Sequence, residues 1–274
     1  MTIQLGADVF KVAVGIYALA AILYLVYLNN KQKAVADAAR GVLVAGFLMN
    51  TAALVIRGVA LERVPFLNMY EYMISCIWGA AAVYLGLEII TRNRFFGAFA
   101  VPFITIAAFM AARLPFQMVD IMPALRSAWR VPHIASAILA YGAFGIACML
   151  AVMYLLSVKS EGNKESFWAS RLPSSKFIDQ AIYRVIAFGF LMQTILILVG
   201  AIWAQVSWGR YWGWDPKETW SFITWLIYAV YLHTRTMMGW RGRNSAYVAL
   251  FGFAAVIFTL LGVNWLGGLH AYTK

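Results

Sequence analysis

The sequence predicts an all-α, polytopic membrane helix bundle, and three observations lead to that prediction. Of the 274 residues, 63% are hydrophobic and only 12% are charged, whereas a soluble globular domain is about half apolar and about one quarter charged. Apolar runs of about 20 residues, long enough to cross a hydrocarbon core of about 30 Å, recur along the chain. Water is absent at that depth, so each run is expected to be a helix that satisfies its own backbone groups.

About eight transmembrane helices are expected, and they account for most of the chain. The predicted spans are 9–28, 41–60, 70–90, 97–113, 134–157, 182–206, 218–237 and 245–265. The first apolar run lacks the basic segment and the small-residue cleavage site of a signal peptide, so we expect it to be retained. We expect one integral membrane domain over 1–274.

The Lys and Arg residues of the loops indicate which face is cytoplasmic. The loops 29–40, 91–96, 158–181 and 235–244, counted with the adjoining span ends, carry 13 of the 22 basic residues, and the opposite side carries 9. Because cytoplasmic loops are enriched in basic residues, both termini are expected outside. This sorting explains most of the net charge of +11, and no nucleic-acid partner is expected.

A tryptophan-rich loop stands between the sixth and seventh spans, on the predicted outer face. Six of the eleven tryptophans fall between Trp203 and Trp225. An aromatic belt at the membrane interface would scatter such residues over many helix ends. Their concentration beside two glycines predicts instead a binding site for a large, flat, apolar ligand with polar ends. The side chains expected to line it are Trp208, Tyr211, Trp212, Trp214, Asp215 and Trp220.

The start of the seventh span allows a second interpretation of the acidic residues in this loop. Asp215, followed by Pro216 and then by Glu218, is typical of a helix N-terminus with a capping box. Asp215 and Glu218 can therefore serve to begin the helix, and the choice between capping and ligand binding stays open.

The three histidines of the chain are informative because of where they fall. His133 begins the fifth span and His270 follows the eighth, both on the predicted outer face with the tryptophan-rich loop. Two imidazoles from different helices could hold a haem iron from opposite sides, and haem is the kind of flat ligand that the loop suits. His233 lies near the inner end of the seventh span, where an ionisable residue is a functional hypothesis by default.

Basic residues on the outer face are candidates to pair with the haem propionates, although each could equally be an ordinary surface charge. They are Arg126, Arg130, Arg210 and Lys217. Apolar residues near helical spacing over 115–129 predict a short interfacial helix that shields the site.

The stretch 208–225, WGRYWGWDPKETWSFITW, closely resembles the signature of the CcsA/ResC family of system II cytochrome c biogenesis, which carries a tryptophan-rich WWD motif. Its WDPKETW core separates it from the related CcmC and CcmF branches. The segments 65–71, 125–133 and 264–272 also resemble the family, so the similarity covers roughly 50–274.

The resemblance implies a set of roles. His133 and His270 match the two external histidines that ligate haem iron, and His233 matches the membrane-embedded histidine. The substrate is haem b, which the family complex moves across the membrane and attaches by thioethers to an apocytochrome c with a Cys-x-x-Cys-His motif. The expected location is the bacterial inner membrane, or a thylakoid membrane in a plastid, with the loop and both termini on the periplasmic or equivalent side.

The resemblance also implies partners. The chain lacks the CcsB/ResB half found in fused members, so a separate CcsB/ResB-type subunit is expected, with thiol-reducing proteins acting indirectly. Haem lyase activity is expected of that complex and not of this chain alone. Two other classes stay open: an electron-transfer subunit that keeps a buried bis-histidine haem, and a solute transporter, for which Gln193 and Thr194 are weak candidates.

Overall fold

The computed structural model describes residues 2–118, 126–162 and 165–266, and the regular structure in these ranges is helical. The helices are α1 (Ile3–Asn30), α2 (Lys33–Leu61), α3 (Met69–Thr91), α4 (Gly97–Ala111), α5 (Arg130–Ser160), α6 (Ser175–Trp208), α7 (Pro216–Met237) and α8 (Arg243–Leu260), followed by a short 3-10 helix (Gly262–Trp265). Each of the eight α-helices overlaps one predicted span, and α1, α2 and α6 begin six to eight residues before the predicted bounds. The prediction of an all-α polytopic membrane protein is confirmed.

Within the described ranges, six helices are long and apolar enough to cross a membrane: α1, α2, α3, α5, α6 and α8. Helix α4 is apolar, but its 15 residues extend over only about 22 Å. Helix α7 has 22 residues, and its Trp, Tyr and Thr side chains lower its hydropathy. That α4 and α7 also cross the bilayer stays a prediction.

Contacts along the chain define two compact units, the first made of Met1–Asp120 and Leu156–Ser174 and the second of Ile121–Leu155 and Ser175–Lys274. The expected single domain over 1–274 stays a prediction. Of the short interfacial helix expected over 115–129, residues 119–125 lie outside the described residues, and 115–118 have no regular structure. The helix stays a prediction.

The first unit packs around a column of aromatic side chains on α1. Phe10, Tyr17 and Tyr24 are seven residues apart, which is about two helical turns, and all three are fully buried. Gly46 of α2 lies against Tyr17, where an added Cβ would meet the ring at 2.9 Å, and Gly97 of α4 lies against Tyr24 in the same way. The missing side chains let α2 and α4 approach α1 closely.

The second unit packs its helices on an aromatic pair in its core. Phe144 of α5 stacks on Tyr228 of α7 with ring centroids 3.7 Å apart and an interplanar angle of 5°. Gly189 of α6 leaves room for Phe144, and Gly252 of α8 leaves room for Tyr228. These contacts fix α5, α6, α7 and α8 around one core and so position the ends of α6 and α7, between which the tryptophan-rich loop lies.

Candidate functional site

The tryptophan-rich loop, residues 209–215, connects α6 to α7. Gly209 ends α6 with a φ of +73°, a left-handed conformation that glycine adopts without steric cost. Its N–H donates to the carbonyl of Gln205 at 3.0 Å, as at a regular helix end. The chain thus leaves α6 in a sharp, defined turn.

Asp215 and Glu218 form a capping box at the start of α7. The Asp215 carboxylate accepts from the Lys217 N–H at 3.0 Å, and the Glu218 carboxylate accepts from the Asp215 N–H at 3.2 Å. The capping interpretation of these two residues is therefore confirmed. Glu218 also accepts from the Gly213 N–H at 2.8 Å, so one carboxylate holds both the helix start and the loop before it.

Trp214 is held in an unusual conformation at the tip of this loop. Its φ is +56°, a left-handed value that costs a residue with a Cβ about 1–2 kcal/mol. The Thr219 hydroxyl donates to the Trp214 carbonyl at 3.2 Å and helps to maintain it. The result is an indole that is 66% exposed, close in sequence to Tyr211, which is 63% exposed.

The loop aromatics pack on the first turns of α7. The Trp212 ring meets the Trp214 ring edge-on at 5.6 Å, and both lie edge-on to Phe222, at 6.3 and 6.5 Å. Phe222 in turn lies nearly parallel to Trp225, at 6.0 Å and 9°. The exposed indole of Trp214 therefore packs against Trp212 and Phe222, and these contacts limit its movement.

His133 belongs to a second aromatic group, on the facing sides of α5 and α6. Its ring lies 5.2 Å from that of Trp203, which lies 5.9 Å from Trp208. The His133 Nδ1 is 3.0 Å from the Leu196 carbonyl oxygen. A carbonyl only accepts hydrogen bonds, so Nδ1 carries the hydrogen and donates, and in the neutral ring Nε2 has the lone pair.

Gly200 of α6 makes this position of His133 possible. A Cβ added at Gly200 would meet both Nδ1 and Cε1 of the imidazole at 2.8 Å. The ring thus lies directly on the α6 backbone, one turn from the carbonyl that it contacts. Gly200 could not be predicted from the sequence, because a glycine within an apolar span gives no signal of which side chain lies against it.

The remaining predicted residues of the loop region are divided between packing and surface positions. Trp220 packs against Phe258 of α8, with ring centroids 4.2 Å apart. Arg210 is exposed, and its guanidinium lies against Gly213. Lys217 is half-buried.

Two further predicted basic residues precede or begin α5. Arg126 is exposed, whereas Arg130 is buried at the first position of the helix. The structure places both in the second unit, as it does the loop. The expected second external ligand, His270, lies outside the described residues.

His233 has an exposed side chain on α7. The other exposed residues of this helix at matching spacing are Leu226, Val230, Thr236 and Met237. Because residues three, four and seven apart share a helix face, His233 and Thr236 are the polar members of a mainly apolar stripe. The opposite face carries the buried residues of α7.

A buried ion cluster in the first unit was not among the predicted features. Glu71 accepts from Arg57 Nε at 3.1 Å, from Arg63 Nη1 at 2.9 Å and from the Leu67 N–H at 2.8 Å. The side chains of Arg57 and Glu71 are fully buried. Arg57 and Glu71 lie within predicted spans, where a charged residue is costly, and this signal could have indicated the cluster. The cluster fixes the loop between α2 and α3.

Comparisons with known proteins identify the family and the fold of this chain. The family described as Cytochrome C assembly protein matches residues 66–270. Among solved structures, the cytochrome c haem lyase CcmF has a TM-score of 0.67 and 15% identity, with 95% of this chain and 47% of that protein covered. This chain therefore has the fold of one part of CcmF and spans about half of its length.

Curated relatives named cytochrome c biogenesis protein CcsA are considerably more similar in sequence. The protein from Chlorella vulgaris is 38% identical over 256 residues, covering 81% of each chain. That from Guillardia theta is 38% identical over 229 residues, covering 76% of each. That from Microcystis aeruginosa is 35% identical over 258 residues, covering 76% of this chain and 79% of the relative. This protein belongs to the CcsA family of membrane proteins, which serve in cytochrome c biogenesis.

Proposed function

We propose that this chain binds haem beside the tryptophan-rich loop and presents it for covalent attachment to apocytochrome c. The observation that carries the proposal is the bond between His133 Nδ1 and the Leu196 carbonyl, at 3.0 Å. Histidines that ligate metals commonly donate their other ring N–H to a carbonyl or carboxylate, which fixes the tautomer and raises the basicity of the ligating nitrogen. On this basis we assign Nε2 of His133 as the ligating atom.

The loop supports the same substrate. A porphyrin is flat, apolar over most of its area and acidic at two propionates. Trp214 and Tyr211 offer exposed aromatic faces, and Trp212 and Phe222 hold Trp214 in place. The exposed guanidinium of Arg210 is suited to bind a propionate.

The remaining ligands of this outer site rest on the resemblance. His270 is proposed as the second axial ligand of the haem b iron, opposite His133. Arg126, Arg130 and Lys217 are proposed as further propionate partners. Trp208 and Trp220 contribute by packing, the first on Trp203 and the second on Phe258.

The chemistry that follows is addition of a thiol to a vinyl group. Each cysteine of the acceptor's Cys-x-x-Cys-His motif adds its sulfur to one vinyl carbon and its hydrogen to the other, so that no electrons are gained or lost overall. Holding both groups at contact distance converts a bimolecular step into an effectively unimolecular one, which is the main contribution expected of the protein. The capping role of Asp215 and Glu218 leaves them as positioning residues, and no proton donor is assigned.

A partner subunit is part of the proposal. The exposed stripe on α7 carries an imidazole among Leu226, Val230 and Met237, a surface suited to pack against a transmembrane helix. A CcsB/ResB-type subunit would cover this stripe and supply the second axial ligand of an inner haem bound by His233. Haem then passes from the inner site to the outer site on its way across the membrane.

The orientation follows from the basic residues of the loops. The tryptophan-rich loop and both termini are placed on the periplasmic side of a bacterial inner membrane, or on the equivalent side of a thylakoid membrane. Thiol-reducing proteins on that side act indirectly by keeping the acceptor cysteines reduced.

The proposal is tested by coexpressing the chain with a CcsB/ResB-type subunit and a c-type apocytochrome reporter. We expect covalent haem on the reporter, measured by haem staining of denaturing gels, only when both membrane proteins are present. His233→Ala should abolish it. Haem retained by the chain and never transferred would instead indicate an electron-transfer subunit, and full attachment by the chain without a partner would contradict the shared site.

A further inference from the structure

A polar pocket of about 350 Å³ lies at the end of the second unit away from the tryptophan-rich loop. It forms where α6 begins and α7 ends. Its lining residues are Lys176, Asp179, Gln180, Tyr183, Arg235, Thr236 and Arg241. The proposed haem chemistry uses none of them.

The pocket is positively charged. Three of its residues are basic and one is acidic, which gives a net charge of +2. The only carboxylate among these residues, that of Asp179, accepts from Arg235 at 2.9 and 2.6 Å and from the Gly242 N–H at 3.2 Å. Asp179 therefore neutralises Arg235, and the charges of Lys176 and Arg241 remain for an anion.

The pocket is preformed. The Asp179–Arg235 pair has two parallel hydrogen bonds, and the Arg235 guanidinium lies 4.9 Å from the centre of the Tyr183 ring. These contacts join the N-terminal turns of α6 to the last turn of α7 and leave little to reorganise on binding. Lys176 is in the first turn of α6, where the helix dipole favours an anion.

Exposed apolar residues adjoin two of the lining residues in the sequence. Met238 and Trp240 are exposed and lie in the chain between the lining residues Thr236 and Arg241. Tryptophan at a helix end is typical of the membrane interface. A basic pocket beside exposed apolar residues suits a molecule with an anionic head and a hydrocarbon tail better than it suits a free anion.

We propose that this pocket binds the phosphate-bearing headgroup of an anionic phospholipid, with the acyl chains along the exposed apolar residues. Basic pockets between membrane helices at the cytoplasmic interface favour such headgroups. Lys176 and Arg241 would pair with the phosphate, while Arg235 and Tyr183 form the rigid wall. Bound lipid would thereby connect the start of α6 to the residues that follow α7.

The test is a titration of the full chain in detergent with dioleoyl phosphatidylglycerol, with bound lipid counted by native mass spectrometry. Lys176→Ala/Arg241→Ala removes the two exposed charges, and Arg184→Ala/Arg243→Ala removes two exposed charges of the same unit that do not line the pocket. Each basic residue contributes about fivefold to anionic lipid binding, so the pocket variant should bind about 25-fold more weakly than the wild type. The control variant should change by less than about threefold.

Four results would overturn the proposal. Equal losses in the two variants would show general charge attraction, and equal binding of dioleoyl phosphatidylcholine would show that the headgroup charge is irrelevant. Displacement of the lipid by millimolar inorganic phosphate would assign the pocket to a free anion. Displacement of the lipid by haem, with haem binding that depends on Lys176 and Arg241, would assign the pocket to a propionate. If one phosphatidylglycerol molecule stays bound in the presence of phosphate and of haem, the result supports the lipid site.

Discussion

Gly200→Ala is the substitution that most sharply probes how α6 positions His133. An alanine Cβ would lie 2.8 Å from the His133 Nδ1 and Cε1, against about 3.4 Å for ordinary contact, so the ring must retreat by about 0.6 Å. The Leu196 carbonyl lies on the same helix, one turn earlier. The same retreat stretches the 3.0 Å bond to about 3.6 Å, beyond hydrogen-bond range.

Loss of this outer-shell partner typically costs a metal site about 10–100-fold in affinity, and we expect a loss of that size in haem affinity. The measurement is haem titration of the purified chain, followed by absorption. Gly86→Ala is the matched control, because it makes the same change in a helix where an added Cβ meets nothing within 4 Å. Alanine raises helix propensity by about 1 kcal/mol at both positions, so stability alone predicts no loss. Unchanged haem affinity in Gly200→Ala would refute the reasoning.

Three further predictions concern the loop and the opposite end of the unit. Asp215→Asn should retain more holocytochrome formation than Asp215→Ala, because Asn also caps helices and the Ala change costs about 1 kcal/mol; equal losses would indicate a required charge. Trp214→Phe should retain more bound haem than Trp214→Ala, since an aromatic face is kept; identical haem content in the two variants would argue against stacking. Arg235→Ala should lower the free energy of unfolding by about 3–5 kcal/mol, because it leaves Asp179 unpaired in a buried site. Lys11→Ala is the control, because it breaks an exposed ion pair with Asp8 and should lower the free energy of unfolding by less than about 1 kcal/mol. If denaturation in detergent gave similar losses for Arg235→Ala and Lys11→Ala, burial of the ion pair would be unimportant.

The positions of the helices could be predicted from the sequence because hydropathy and local capping signals depend on neighbouring residues. The Asp215–Glu218 capping box is the clearest case, since all its partners lie within a few positions. The acceptor of His133 could not be predicted, because Leu196 is 63 residues away and offers only a backbone carbonyl. That contact depends on how α5 packs on α6.

The left-handed Trp214 and the second role of Glu218 also escaped prediction. A tryptophan is an unfavourable residue for positive φ, so no propensity argument points to it. Glu218 accepts a hydrogen bond from the Gly213 N–H, which belongs to the loop, and the conformation of the turn sets the direction of that N–H. Local strain of this kind is maintained by the surrounding hydrogen bonds and is not visible in composition or periodicity.

Haem ligation by His133 at the outer site is the central step of the proposed function. The most direct measurement is the absorption spectrum and haem content of the chain in a His233→Ala background, which removes the inner ligand. There we predict a low-spin, two-imidazole spectrum that His133→Gly abolishes and added imidazole restores, because a small ligand can occupy the position of the missing ring. An unchanged spectrum and unchanged haem content in His133→Ala/His270→Ala would contradict the account.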